Sequence, residues 1–62
     1  SYSAIRDELR YGLAQRLLQQ DTVSISDIAT RLGYAEPSAF YRAFLKWSGM
    51  TPAAFRLSGK AG

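Results

Sequence analysis

Gly33 and Pro37 stand four residues apart with an apolar helical pattern on either side, and few folds accommodate that arrangement. Upstream, Ser24 is followed three residues later by Asp27, a close relative of the capping box, and Ile25, Ile28, Ala29 and Leu32 recur at helical spacing. Gly33 is suited to the left-handed conformation that closes many helices. Downstream, Pro37 fits the first position of a helix, where its missing N–H costs nothing. Phe40, Phe44 and Trp47 then fall on one face of a segment that runs to about Ser48, and Gly49 stops it. The spacing predicts two short helices bent about a tight connection, Gly33-Tyr34-Ala35-Glu36.

The flanks read as helical too. Over residues 3–20, Ile5, Leu9, Leu13 and Leu17 recur every four positions, which predicts an amphipathic helix with that row buried. Gly12 inside it costs about 1 kcal/mol relative to Ala, so close approach of another backbone is the expected compensation. Residues 19–22 form a polar connection. Thr51-Pro52 repeats the cap-and-proline signal for a short last helix over 51–57 carrying Phe55 and Arg56, and 58–62 reads as a frayed tail. With no strand signal, repeat or low-complexity stretch, the expectation is one all-α domain over 1–62. Its helix-turn-helix occupies 24–48. Phe40, Phe44, Trp47, Met50 and Phe55 are expected in the core and Tyr34 at its edge with the hydroxyl at the surface. Tyr2 and Tyr11 have no assigned place.

At 62 residues the chain buries only about 60% of the surface its unfolded form exposes, so stability is expected to be marginal. There is no cysteine or histidine, hence no disulfide framework or ordinary Zn site to reinforce it, and no metal or cofactor is implied. The same lack of His and Cys, with no carboxylate pair at an arguable spacing and little room for a pocket of about 300 Å³, speaks against an enzyme. No apolar run approaches the roughly 20 residues that span a bilayer, and no signal-peptide pattern opens the chain. A soluble intracellular protein without membrane contact is expected. The sequence does not begin with Met, so a piece of a longer protein is expected as well.

Charge is unevenly placed. Residues 1–30 sum to −1, whereas residues 31–62, with Arg31, Arg42, Lys46, Arg56 and Lys60 against Glu36 alone, sum to +4. A basic half on a small domain suits a polyanion, although modest positive charge also keeps small domains soluble. Two short helices joined by a tight glycine turn form a helix-turn-helix candidate. In that arrangement the small Ala29 lets the helices cross closely, and Ile25, Ile28 and Leu32 clamp Phe40 and Phe44. The tip from Pro37 to Arg42 then projects outward, as a helix entering a major groove about 12 Å wide must. Arg42, opposite Phe40 and Phe44, is the foremost DNA-contact candidate, since a guanidinium can bridge a guanine edge or grip phosphate. Arg31, Lys46 and Arg56 fit phosphate contact or simple solvation. Thr51 is expected to cap the last helix, with neighbouring N–H groups open to a phosphate.

The string from Ser24-Ile25-Ser26-Asp27-Ile28-Ala29 through Leu32-Gly33-Tyr34, Pro37-Ser38-Ala39-Phe40-Tyr41-Arg42-Ala43-Phe44 and Trp47 to Gly49-Met50-Thr51-Pro52 resembles the AraC/XylS family of bacterial transcription regulators. The likeness extends back through Arg16-Leu17-Leu18 and forward to Phe55-Arg56. It implies a homeodomain-like, four-helix subdomain: a linker helix followed by the second of the two helix-turn-helix units such regulators carry. A first unit and a sensing domain would then belong to the parent chain. By this resemblance Pro37, Ser38, Ala39 and Arg42, with Tyr41 beside them, match the base-reading face. Pro37 and Ala39 offer only apolar contact, and Ser38 serves equally well as a first-turn residue satisfying backbone N–H groups. The implied function is a double-stranded-DNA-binding half-module of a cytoplasmic, nucleoid-associated bacterial regulator. The alternative is a protein-interaction module that contacts RNA polymerase or another regulator domain, through the linker-helix face with Asp7, Glu8 and Arg10.

Overall fold

The computed structural model describes residues 2–60 and consists there of four helices: α1 (Tyr2–Leu18), α2 (Ile25–Arg31), α3 (Pro37–Ser48) and α4 (Pro52–Lys60). The expected all-α, four-helix architecture is the one observed.

Each junction is built by local hydrogen bonding. Ser24 is extended (φ −70°, ψ 156°) and its hydroxyl accepts from the Asp27 N–H at 3.1 Å, satisfying one donor that a helix start leaves open. At the other end of α2, Gly33 takes φ +93°. Its N–H donates to the Thr30 carbonyl at 3.0 Å while the Tyr34 N–H reaches back to Ala29 at 3.0 Å. These two bonds make a Schellman closure, in which a left-handed residue lets the chain reverse while the last carbonyls stay bonded. Helix α3 opens with Pro37 after an extended Glu36 (φ −139°) and closes on Gly49 at φ +81°, whose N–H donates to Leu45 at 2.8 Å. Thr51 then caps α4, its hydroxyl accepting from Ala54 N–H at 3.1 Å, with Pro52 buried behind it.

Ala14, Leu17, Leu18, Val23, Ile28, Ala29, Leu32, Phe40 and Phe44 form the core, and Tyr11, Ile25, Tyr34, Trp47 and Phe55 pack around it. Phe44 is central: Phe55 stands 5.3 Å from it in edge-to-face geometry, Tyr11 5.6 Å, Phe40 5.8 Å and Trp47 6.4 Å, ring centre to ring centre. Aromatic pairs at such separations stabilise by about 0.5–1.5 kcal/mol beyond their area burial. Tyr11, unplaced from the sequence, therefore joins α1 to α3. Tyr2 belongs to α1.

Four expectations are corrected. The row Ile5, Leu9, Leu13 and Leu17 is not the buried stripe of α1: Ile5, Leu9 and Leu13 are 60%, 70% and 45% exposed, and only Leu17 is buried. A helix turns about 100° per residue, so each four-residue step overshoots a full circle by about 40° and the row winds away from the core. Tyr11, Ala14, Leu17 and Leu18 make the inward face instead. Gly12 lies on the outward side, and nothing stands within 4 Å of where its Cβ would be, so no backbone approaches it. Met50 is exposed rather than core, because its place just after Gly49 turns it from the aromatic cluster. Finally, α4 continues to Lys60, so Ser58 and Gly59 are helical rather than frayed; positions 61 and 62 of the anticipated tail lie outside the described residues.

Candidate nucleic-acid interface

The Schellman closure and the short connection after it hold α3 with Phe40 and Phe44 fully buried. Everything about half a turn from those two rings consequently faces outward. Ser38 and Arg42 are exposed there, Lys46 is exposed one turn on, and Ala39 is half-buried at the edge. Pro37, at the helix start, is exposed, and Tyr41 is half-buried. The five base-contact candidates thus occupy the first turn and a half of one helix. Arg31, at the exposed C-terminal turn of α2, and Thr51, at the head of α4, are placed on two other elements.

Ser38 donates its hydroxyl to the Glu36 carboxylate at 3.4 Å, which turns it outward beside the acid instead of back onto a backbone N–H. Glu36 itself makes no side-chain cap. A carboxylate at the tip of this helix repels phosphate but is able to accept from a cytosine amino group. Leu45, 48% exposed, also lies on the outward side of α3, between Tyr41 and Ser38 in angular position. Sequence reading passed over it as an apolar residue; a wheel centred on Phe40 and Phe44 finds it.

Arg56 is placed differently from the other basic residues. Its Nε donates to the Leu18 carbonyl at 2.8 Å, and its Nη2 donates to Gln20 at 2.9 Å, Leu17 at 3.4 Å and Val23. The guanidinium thereby closes the C-terminal end of α1 and the loop to α2, where carbonyls lack intrahelical donors and a cation is favoured. Three of its donor directions being spent on backbone, it is an internal strut between α4 and α1.

An open groove of about 410 Å³ lies on α1, lined by Glu8, Leu9, Gly12, Leu13 and Arg16. It exceeds the volume expected for so small a domain, but it is a solvent-facing trough along one helix. Among the described residues, no group of three or more acidic, His or Cys side chains is gathered to hold a metal ion, and no helix is long and apolar enough to cross a membrane.

A glycine-closed helix, a tight turn and a second helix displaying polar and basic side chains define a helix-turn-helix protein. A family model described as a helix-turn-helix domain matches residues 1–58, and the chain belongs to that family, of the AraC type. It is 36% identical over 59 residues to an uncharacterised HTH-type transcriptional regulator of Mycobacterium tuberculosis, covering 95% of this chain and 17% of that protein. It is 36% identical over 56 residues to the ornithine utilization regulator of Pseudomonas aeruginosa, covering 90% and 16%. Among solved structures, the transcriptional regulator CdpR from Pseudomonas aeruginosa superposes with a TM-score of 0.89 at 33% identity, over 92% of this chain and 18% of that one. The chain therefore spans less than a fifth of the length of each of these relatives.

Proposed function

We propose that this chain is the DNA-binding half-module of an AraC-type transcriptional regulator, with α3 entering the major groove of double-stranded DNA. The observation that carries the reading is the outward ridge of α3, where Ser38, Arg42 and Lys46 stand exposed on a helix whose opposite side is locked by Phe40 and Phe44. Arg42 has the reach and the bidentate geometry to read a guanine edge. Pro37, Ala39 and Tyr41 contribute shape and apolar contact beside it, and Ser38 a hydroxyl. Arg31 and Lys46 serve as phosphate contacts, and Thr51 sits where the head of α4 meets the backbone. Arg56 leaves that set, because its guanidinium is committed within the protein. The module acts by binding and not by catalysis, on the nucleoid in the bacterial cytoplasm.

In the same reading α1 is the linker helix, and a preceding helix-turn-helix unit of a longer parent chain covers Ile5, Leu9 and Leu13, whose exposure in this chain leaves a large apolar surface in water. A sensing domain belongs to the same parent. No feature of the fold favours docking to RNA polymerase over DNA.

The test is an amide chemical-shift titration of the chain with a mixed-sequence duplex at low and at moderate salt. Residues 38–46 and the neighbourhood of Thr51 are expected to shift together, with the effect fading as salt rises, because phosphate neutralisation dominates such affinities. Absence of any shift at low salt would overturn DNA binding by this chain.

A further inference from the structure

Arg10 is a charged residue on the wrong side of its helix. It shares the inward-facing sector of α1 with Ala14 and Leu17, and it is half-buried there. Its guanidinium carbon lies 4.8 Å from the centre of the Tyr34 ring, over its face. An Nη2 of the same side chain stands 3.5 Å from where a Cβ on Gly33 would be. Tyr34 in turn packs against Phe40, ring centres 5.8 Å apart, and its N–H makes the long bond of the Schellman closure to Ala29. One side chain from α1 thus rests on the turn that sets the direction of α3, and through Tyr34 it reaches the buried anchor of that helix.

We propose that Arg10 is a positioning residue for the recognition helix: stacked on Tyr34 and seated against Gly33, it fixes the turn and with it the angle at which Ser38 and Arg42 are presented. The inference rests on the nucleic-acid reading for its consequence but not for its geometry. A planar guanidinium suits the task, since it stacks on an aromatic face while its rim remains hydrated. The arrangement also links α1 to α3 by a route other than the Tyr11–Phe44 contact, so the helix that leads into the domain bears directly on the DNA-facing one.

The experiment uses the full chain carrying Arg10→Gln, Arg10→Lys, Tyr34→Leu and the Arg10→Gln/Tyr34→Leu double substitution. Amide shifts are recorded without DNA, and affinity for a mixed-sequence duplex is measured at several salt concentrations under conditions where each variant is shown to be folded. Arg10→Gln is expected to move the amides of Gly33 to Glu36 and of Ser38 to Phe40, and to weaken duplex binding about threefold to fivefold with the salt slope unchanged. Tyr34→Leu should act alike, the double variant should be no weaker than the single ones, and Arg10→Lys should restore only a small part of the wild-type pattern, since an ammonium keeps the charge but not the planar stack. A salt slope reduced by about one would make Arg10 itself a phosphate ligand and overturn the proposal. Shifts confined to the neighbours of residue 10 along α1 would overturn it too. Should the unsubstituted chain bind no duplex, the DNA reading fails, and the shifts at the turn and in α3 still decide the positioning claim.

Discussion

The Nε of Arg56 lies 2.8 Å from the carbonyl oxygen of Leu18, thirty-eight positions earlier in the chain, and joins the last helix to the end of the first. Because the same guanidinium serves Leu17, Gln20 and Val23, removing it takes four hydrogen bonds at once, although the Leu17 and Gln20 carbonyls keep the Gln20 and Val23 N–H groups as donors. Hydrogen bonds to a charged group contribute about 1.5–3 kcal/mol each, and shared donors contribute less than the sum. Arg56→Met is expected to cost about 2–4 kcal/mol, read from the urea midpoint, a large fraction of the stability of so short a chain. Arg56→Lys should recover only part of it, since one ammonium cannot span that set of acceptors. A cost below about 0.5 kcal/mol would show the strut to be dispensable.

The two glycines at positions 12 and 33 should respond in opposite directions to alanine. Gly33 holds φ +93°, where an L side chain is strained; a Cβ there meets only the Arg10 guanidinium at ordinary contact distance, so the cost is of the backbone. Gly33→Ala is expected to destabilise by about 1–2 kcal/mol. Gly12 sits within a helix with open space beside it, and Gly12→Ala should stabilise by about 0.5–1 kcal/mol through reduced freedom of the unfolded chain. Both are read as urea midpoints at constant slope. Equal signs for the two would refute the conformational account.

How much of this was legible in the sequence depends on the range of the interaction. The α2–turn–α3 unit was readable because Ser24, Gly33, Pro37 and Gly49 each act within a few residues of themselves, and their hydrogen bonds follow from residue type. The outward placement of Ser38, Arg42 and Lys46 followed from the spacing of Phe40 and Phe44. Arg56 was not readable as a strut, since its acceptors are backbone carbonyls that leave no mark in composition or pattern. Arg10 reads in the sequence only as part of a partner-facing side of α1 with Asp7 and Glu8, because nothing adjacent to it announces Tyr34. The buried face of α1 was misread because leucines at a strict four-residue repeat outweighed the 3.6-residue turn of the helix, while small Ala14 carries the true inward face.

That misreading yields a direct comparison. Leu9 is 70% exposed and Leu18 is fully buried, nine residues later on the same helix. Leu9→Gln should change stability by less than about 0.5 kcal/mol, as surface substitutions usually do, and should raise solubility by breaking the exposed row. Leu18→Ala should cost about 2–5 kcal/mol through lost burial and the cavity left in the core, enough to unfold much of the population. In a longer chain that supplies a preceding unit against α1, Leu9→Gln is expected to become costly. Thermal melts of the two variants in both chains would show it, and a neutral Leu9→Gln in the longer chain would remove Leu9 from the proposed contact.

Arg42 and Lys46 stand one turn apart on α3, both exposed, and they are expected to fail in different ways when removed. Arg42 lies in the first half of the helix, close to the tip proposed to enter the groove; Lys46 lies in the last turn, where a helix so docked would pass the DNA backbone. Arg42→Ala should cost about 1–3 kcal/mol in affinity for preferred sites and flatten the sequence profile at one position. Lys46→Ala should weaken all duplexes evenly and lower the salt slope by about one, since it gives up one phosphate. A competition series over single-base variants of a selected duplex, repeated at three salt concentrations, separates the two. An unchanged profile with a shallower slope for Arg42→Ala would move Arg42 to the phosphate set. The reading of bases would then fall to Ser38, Tyr41 and Leu45 on the same ridge.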